Sequence, residues 1–293
     1  MLGVGGRRPA RGQFPRTGRL GLVRGRTGAA AVAVVCAGLV AAALAGCGGQ
    51  AGHAAAAQAP RVVAPAAVPA ADLPRLPQAT TYTTIAAAPP DPSPAAVTSG
   101  LVVHPHASEI LYAGPGKPPV GVLPATELGG PTWVPVVQQT PGWDRVLLPS
   151  RPNGATGWIY TAKGPALDLA RSSYLVRVWV GARKLTLYSN GKSLGTWTVA
   201  VGAPGTVTPT GRTFVMALLQ PDPPSYTPYI LPLGFHSTTL DTFGGGPGTV
   251  ALHGWPDPSV FGHAISHGCV RVPATALTDL TKVPLGSIVL ISP

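Results

Sequence analysis

From residue 100 onward the chain is cut into short apolar runs by turn-forming residues, and this punctuation restricts the fold more than any other feature. Leu101-Val102-Val103, Val134-Pro135-Val136-Val137 and Arg145-Val146-Leu147-Leu148 are separated by Gly114-Pro115-Gly116, Gly129-Gly130-Pro131, Pro141-Gly142 and Asn153-Gly154. Short apolar runs bounded by turn chemistry predict a small β barrel or sandwich over residues 100–163. Such a chain has no room for a coiled coil or a helix bundle. With 38 Gly and 35 Pro among 293 residues, about a quarter of the chain, the composition points to a loop-rich β protein joined to less structured sequence.

A second β-rich unit is expected over 172–293. Tyr174–Val180 is dense in β-formers, and Lys184–Tyr188 alternates between apolar and polar residues. Asn190-Gly191 lies between that run and Gly195–Val201, and this pair is the strongest short-range hairpin signal. Further strands are predicted at Thr213–Leu219, Thr249–His253 and Ser287–Ile291, with one short helix at Ala274–Leu280. The expected fold class is therefore mostly β, with a small first β domain followed by a β-sandwich that carries a short helix.

The N-terminus reads as an export signal. Residues 1–46 hold seven arginines and no acidic residue, and the stretch 29–45 is apolar and uncharged. A basic region, an apolar region and small residues before a cut describe a secretory signal peptide. The apolar stretch is short and Ala-rich for a membrane-spanning helix. The pair Arg7-Arg8 hints at twin-arginine export, but the residues after it do not support that route. Removing these arginines leaves 14 basic and 10 acidic residues, with no basic run in the remainder. A nucleic-acid footprint needs such a patch, so no nucleic-acid partner is expected.

Residues 47–99 are rich in Ala, Pro, Thr and Ser, with few charges and almost no aromatics. A segment of this kind is expected to be a disordered linker. At ~3.1 Å per residue, a Pro-rich linker of this length could extend on the order of 100 Å.

Three cysteines carry the chemical argument. Cys36 lies inside the signal and Cys47 directly follows it, so Cys269 has no obvious disulfide partner. Cys269 stands in Ser266-His267-Gly268-Cys269-Val270-Arg271, and Ala251-Leu252-His253-Gly254 lies upstream. A thiol is a weak nucleophile until an imidazole takes its proton and holds the thiolate as an ion pair. Gly268 gives the backbone freedom to present N–H groups to an oxyanion. Two blander readings stand beside this one. Cys269 could be an inert core residue. His263, His267, Cys269 and His253 could together bind zinc, although that would occupy the sole thiol. His53, His104 and His106 read as solvated, and His236 is ambiguous. Trp133, Trp143, Trp158, Trp179 and Trp197 read as packing residues, whereas Trp255 follows His253-Gly254 and could shape a site.

His253-Gly254, followed after a gap by Ser266-His267-Gly268-Cys269-x-Arg271, resembles the signature of the YkuD-type L,D-transpeptidases. The likeness spans about residues 172–292. It includes Thr208-Pro209-Thr210-Gly211, similar to that family's turn before a strand, and the aromatic and Gly-rich stretch Tyr226–Gly248, similar to its substrate lid. The resemblance implies a cysteine acyltransferase that needs no cofactor or metal. Cys269 would attack the carbonyl before the terminal D-alanine of a peptidoglycan tetrapeptide stem, and an amine of a second stem would resolve the thioester as a 3→3 cross-link. His253 would be the base, oriented by the Gly254 carbonyl. Gly268 and Cys269 would supply the oxyanion donors, with Ser266 and His267 supporting the loop. Arg271, Tyr226, Tyr229 and Trp255 would meet the substrate.

Two further likenesses complete the reading. Residues 142–164 resemble a bacterial SH3-like domain, to which no ligand is assigned. Leu44-Ala45-Gly46-Cys47 resembles a lipobox, which implies a diacylglycerol on Cys47, anchoring at the outer face of the cytoplasmic membrane and activity in the cell wall. An ordinary signal peptide or an uncleaved anchor is the alternative. A monomer is expected. Two other functions stay open: an L,D-carboxypeptidase, in which water resolves the same thioester, and a wall-binding lipoprotein without catalysis.

Overall fold

The computed structural model describes residues 61–293, except 163, 165, 223 and 224. The expected signal, Cys36, Cys47, His53 and the first part of the linker lie outside the described residues. No helix among the described residues is long and apolar enough to cross a membrane.

Nine strands form the first layer of the structure: β1 (Leu101–Pro105), β2 (Glu109–Tyr112), β3 (Pro119–Leu123), β4 (Thr126–Glu127), β5 (Gly130–Pro131), β6 (Val134–Thr140), β7 (Trp143–Leu147), β8 (Thr156–Tyr160) and β9 (Leu167–Arg171). Seven of them make an antiparallel sheet in the order β3-β2-β8-β7-β6-β1-β9, and β4 pairs with β5 as a separate ribbon. Strand β9 was not expected from its sequence. It lies beyond the 100–163 boundary and extends the sheet by pairing Leu101–Pro105 with Arg171–Leu167.

The C-terminal sandwich follows. It comprises β10 (Tyr174–Trp179), β11 (Lys184–Ser189), β12 (Lys192–Thr198), β13 (Val201–Gly202), β14 (Gly211–Phe214), β15 (Ile230–His236), β16 (Thr249–Gly254), β17 (Ala264–Ser266), β18 (Val270–Val272), α1 (Ala274–Leu280) and β19 (Ile288–Ser292). A five-stranded sheet, β12-β11-β10-β19-β14, packs on a three-stranded sheet, β15-β16-β18. Val176, Val178, Leu185, Leu187, Val289 and Ile291 come from the first sheet; Leu231, Leu233, Val250, Leu252, Val270 and Val272 from the second. Together with Ala276, Leu277 and Leu280 of α1 they form one core. The fold is mostly β, as the sequence predicts. Asn190 and Gly191 take φ of 49° and 74°, the two positive values that a two-residue hairpin turn of this hand requires. Helix α1 has no side-chain cap and starts at Pro273, and burial of Ala276, Leu277 and Leu280 holds it.

Residues 61–99 are not a disordered linker in the structure. They contain a single 3₁₀ turn, Leu73–Arg75, yet they pack against the first sheet. Ala79, Ile85 and Ala88 join its core, and the backbone of Ala79 and Ile85 donates to Val122 and Arg151. The sparse apolar residues suffice because prolines already hold much of the chain extended, which lowers the entropy lost on docking. The first sheet also packs directly against the sandwich. Phe214, Met216 and Ile288 of the sandwich belong to the same core cluster as Ile85, Leu111 and Ile159. Both faces of β19 are therefore apolar and buried, and the two β layers share a core.

A buried ion pair fastens the segment to the sandwich. Arg212 follows the Thr208–Gly211 turn and forms a fork on Asp91, with Nε to Oδ2 at 2.9 Å and both side chains 2% exposed. Arg212 Nη1 also donates to the Ala96 carbonyl at 3.0 Å. Asp91→Ala strands a buried guanidinium and is expected to lower stability by roughly 3–5 kcal/mol. A drop in the urea midpoint at an unchanged m-value measures this loss.

Candidate active site

The parallel ladder between β16 and β18 places the motif residues. Its register pairs Leu252 with Val270 and His253 with Arg271. Leu252, Val270 and Val272 face the core. Strand alternation therefore turns His253, Arg271 and, two residues earlier, Cys269 to the opposite face. The nucleophile and base named from the sequence thus share one face of one sheet.

The imidazole of His253 is held firmly. Its Nδ1 donates to the carbonyl of Gly254 at 2.8 Å, which leaves Nε2 for chemistry. Gly254 is itself pinned, because its N–H donates to Thr227 Oγ1 at 2.9 Å and that hydroxyl donates to the Tyr229 carbonyl. A Cβ on Gly254 would lie 2.9 Å from Thr227 Oγ1 and 3.2 Å from Leu277, so a larger residue would displace this support. Burial lowers the pKa of His253 below the usual 6.5; the Gly254 carbonyl opposes the shift and Arg271 adds to it.

Cys269 is a half-buried free thiol. Burial raises its pKa above the usual 9.0, while the Ala251 N–H and the Arg271 charge pull it down. Desolvation thus acts on both groups in favour of their neutral forms, a thiol and an imidazole, while the Ala251 N–H and the Arg271 charge favour the thiolate.

The loop before Cys269 is tied at every turn. Ser266 Oγ donates to the Cys269 carbonyl and accepts the Gly268 N–H at 3.1 Å. The Gly268 N–H is therefore engaged and is not the oxyanion donor that the sequence suggested. The Cys269 N–H has no hydrogen-bond acceptor among the described residues. Gly268 has φ of +116°, a conformation that side chains resist. From the other side, Thr208 Oγ1 donates to the Gly268 carbonyl at 2.9 Å, and Thr206 Oγ1 to the Ser266 carbonyl at 2.8 Å. The Thr208-Pro209-Thr210-Gly211 turn thus braces the loop before Cys269. Thr206, Thr208 and Thr227 were not singled out individually in the sequence; Thr208 stood inside the turn motif and Thr227 inside the stretch read as a lid.

An aromatic flank covers His253. The Tyr226 ring lies edge-on to His253 at 5.2 Å and beside Trp255 at 5.1 Å. Arg271 stacks on Trp255, with Cζ 3.6 Å from the ring centroid. Burial and the nearby Cys269 raise the Tyr226 pKa, and Arg271 opposes them. Tyr226, Tyr229 and Trp255 line a cavity of about 270 Å³ that extends past Gly254 to Leu277 and Thr278. A larger cavity of about 550 Å³ lies at the seam of the two β layers, lined by Ser99, Tyr174, Arg177 and Tyr188 and by no motif residue.

His267 projects on the other side of the loop. It is exposed and lies against Phe243, with ring centroids 4.8 Å apart. The stretch 226–248 is only partly lid-like. Its middle, Ile230–His236, is a core strand, and the exposed part is the loop after it. His236 is fully buried, with Nε2 donating to the Thr81 carbonyl at 2.8 Å; burial pushes its pKa down to about 4. The histidines and Cys269 weighed as zinc ligands are not gathered: among the described residues no group of three or more His, Cys, Asp or Glu could hold a metal.

Residues 173–291 match the YkuD family, described as an L,D-transpeptidase catalytic domain. A Bacillus licheniformis protein named "Putative L,D-transpeptidase YkuD" is 33% identical over 121 residues, covering 41% of this chain and 66% of that protein. Its namesake from Bacillus subtilis is 32% identical over 120 residues, with the same coverage. The chain thus spans just under two thirds of the length of these curated relatives. Among solved structures, an L,D-transpeptidase from Mycobacterium smegmatis is 14% identical, covering 55% of this chain and 99% of that one, at a TM-score of 0.35. The catalytic domain of the E. faecium L,D-transpeptidase is 20% identical, covering 41% and 97%, at a TM-score of 0.33. The match to the YkuD family of L,D-transpeptidases thus covers residues 173–291, the part of the chain that holds His253 and Cys269.

Proposed function

We propose that the chain is a cysteine-dependent peptidoglycan L,D-transpeptidase that forms 3→3 cross-links between stem peptides. The observation that carries this reading is the His253 ring, tied through Nδ1 to Gly254 and sharing a sheet face with the only thiol among the described residues. His253 Nε2 takes the thiol proton as sulfur bonds to the carbonyl carbon before the terminal D-alanine. The Cys269 N–H, which has no acceptor among the described residues, donates to the oxyanion. As the C–N bond breaks, His253 returns the proton to the leaving D-alanine amine, and a thioester remains on Cys269. The amine of a second stem then attacks. Its proton passes to His253, the amide forms, and the thiolate leaves and recovers that proton.

The cationic Arg271, held flat against Trp255, suits a substrate carboxylate at the aromatic flank. Tyr226 and Tyr229 supply apolar walls to the adjoining cavity. The sequence around Cys47 supports export and lipid anchoring, so the enzyme would act at the outer face of the membrane on the cell wall.

Mass spectrometry of the purified chain with a carbapenem tests the nucleophile. One covalent adduct mapping to Cys269 is expected; no adduct would remove the thiol from the mechanism. Incubation with disaccharide-tetrapeptides then separates the outcomes. Cross-linked dimers with released D-alanine are expected, whereas tripeptide alone would replace transfer by L,D-carboxypeptidase hydrolysis.

A further inference from the structure

The turn Arg151–Gly154 of the first sheet enters the sandwich at one place. Its backbone is fixed by residues 61–99, with Arg151 N donating to Thr83 O at 2.9 Å and Ile85 N donating to Arg151 O at 2.8 Å. Asn153 then pairs with the end of β15 as a strand would. Its Nδ2 donates to His236 O and its Oδ1 accepts from His236 N, both at 2.8 Å. The half-buried guanidinium of Arg151 lies beyond it and donates to three carbonyls: Pro247 at 2.8 Å, Ser237 at 3.3 Å and, at the limit of a hydrogen bond, Leu240 at 3.5 Å. It forms no ion pair with a carboxylate among the described residues.

All three carbonyls belong to one loop, residues 237–248, between β15 and β16. Ser237 N donates to Gly248 O at 2.8 Å and closes the loop at its base. At the tip, Phe243 and Gly246 exchange backbone hydrogen bonds around Gly244 and Gly245, whose φ values are +57° and +81°. Between base and tip the loop contributes nothing to either core. Its one large apolar ring, Phe243, is 53% exposed and lies against His267, two residues before the nucleophile. A loop rich in glycine loses much conformational freedom when ordered. A single ring contact cannot offset that loss, whereas hydrogen bonds from a charged donor are the strong kind. Gly248 marks how close the parts come: a Cβ there would fall 3.3 Å from Arg151 Nη2.

We infer that Arg151, assisted by Asn153, is a positioning residue of the reaction. It fixes loop 237–248 from behind, and through Phe243 it sets the wall of the site on the His267 side of Cys269. Recognition of the stem peptide by the sandwich therefore depends on a residue of the first sheet. The inference rests on the reading of Cys269 as a nucleophile toward stem peptides.

Two measurements on the full chain test it. The first is hydrogen exchange, which is independent of activity. Arg151→Ala should speed exchange of amides 238–247 about tenfold or more while leaving those of β16 unchanged, and Arg151→Lys should recover part of the protection. The second is kinetics with disaccharide-tetrapeptide. Arg151→Ala should raise KM about tenfold with kcat within about threefold, and alkylation of Cys269 by iodoacetamide should stay within about twofold. Phe243→Ala should raise KM similarly, and the double variant should add little, since both act through one wall. Unchanged exchange at 238–247 in Arg151→Ala, or fully additive KM effects, would overturn the inference. If Arg151→Ala shows a collapsed urea midpoint, Arg151→Lys and Phe243→Ala carry the same comparison. A wild-type chain that never turns over tetrapeptide defeats the functional reading instead, and the exchange result still decides whether Arg151 holds the loop.

Discussion

Cys269→Ala is expected to reduce both carbapenem acylation and stem-peptide turnover to background, a loss of at least ~10⁴-fold, since removing the nucleophile of such a pair removes the covalent path. Cys269→Ser is expected to be as inactive. A hydroxyl is a far weaker acid than a thiol, and a base whose pKa burial has lowered is the less able to take its proton. The serine variant thus separates sulfur chemistry from mere filling of space. Fold integrity is read in the same samples from the urea midpoint. The contacts that fix the loop run through the Cys269 carbonyl, Ser266 and Thr208 rather than through the sulfur, so the midpoint should barely move. Residual turnover above a hundredth of wild type in Cys269→Ala, measured by release of D-alanine, would require another nucleophile.

The parts of this site that were legible in the sequence are those built from local pattern. His253 and Cys269 stood out because a lone thiol flanked by glycine and histidine has few other uses, and alternation along β16 and β18 put both on one face. Strand periodicity and the Asn190-Gly191 turn gave the sandwich its edges. What the sequence hid is non-local. Residues 61–99 have the composition of a linker, and nothing in Ala79, Ile85 or Asp91 shows that a sheet core and Arg212 are waiting for them. The stretch 226–248 read as one lid because aromatic and glycine content does not distinguish a buried strand from an exposed loop. Pairing of Ile230–Pro232 with His253–Ala251 decides that in three dimensions. The Gly268 amide looked available for an oxyanion until the structure showed Ser266 Oγ accepting it. Single hydroxyls such as Thr206 and Thr227 carry no signal of their own, because their partners are backbone atoms 60 and 27 residues away.

His253→Ala is expected to lower the rate of carbapenem acylation at neutral pH by at least ~10²-fold, the scale of general-base catalysis. The pH profile makes the result specific to a base. In the wild type the imidazole must be neutral, and burial keeps it neutral to lower pH than usual. Activity should hold as the pH drops through 6.5 and fall only at the lowered pKa of His253. Without the imidazole, reaction depends on spontaneous loss of the thiol proton, and burial has raised that pKa above 9.0. The rate of the variant should therefore climb nearly tenfold per pH unit from neutrality upward, and its deficit should shrink in alkali. Stopped-flow acylation between acid and alkaline pH measures both limbs. His267→Ala is the control: its ring is exposed beside Phe243, so the acid limb should stay in place. If His253→Ala kept a wild-type rate, or if the acid limb vanished in His267→Ala instead, the base would have to be moved to His267. The support that Gly254 and Thr227 give to His253 would then be structural only.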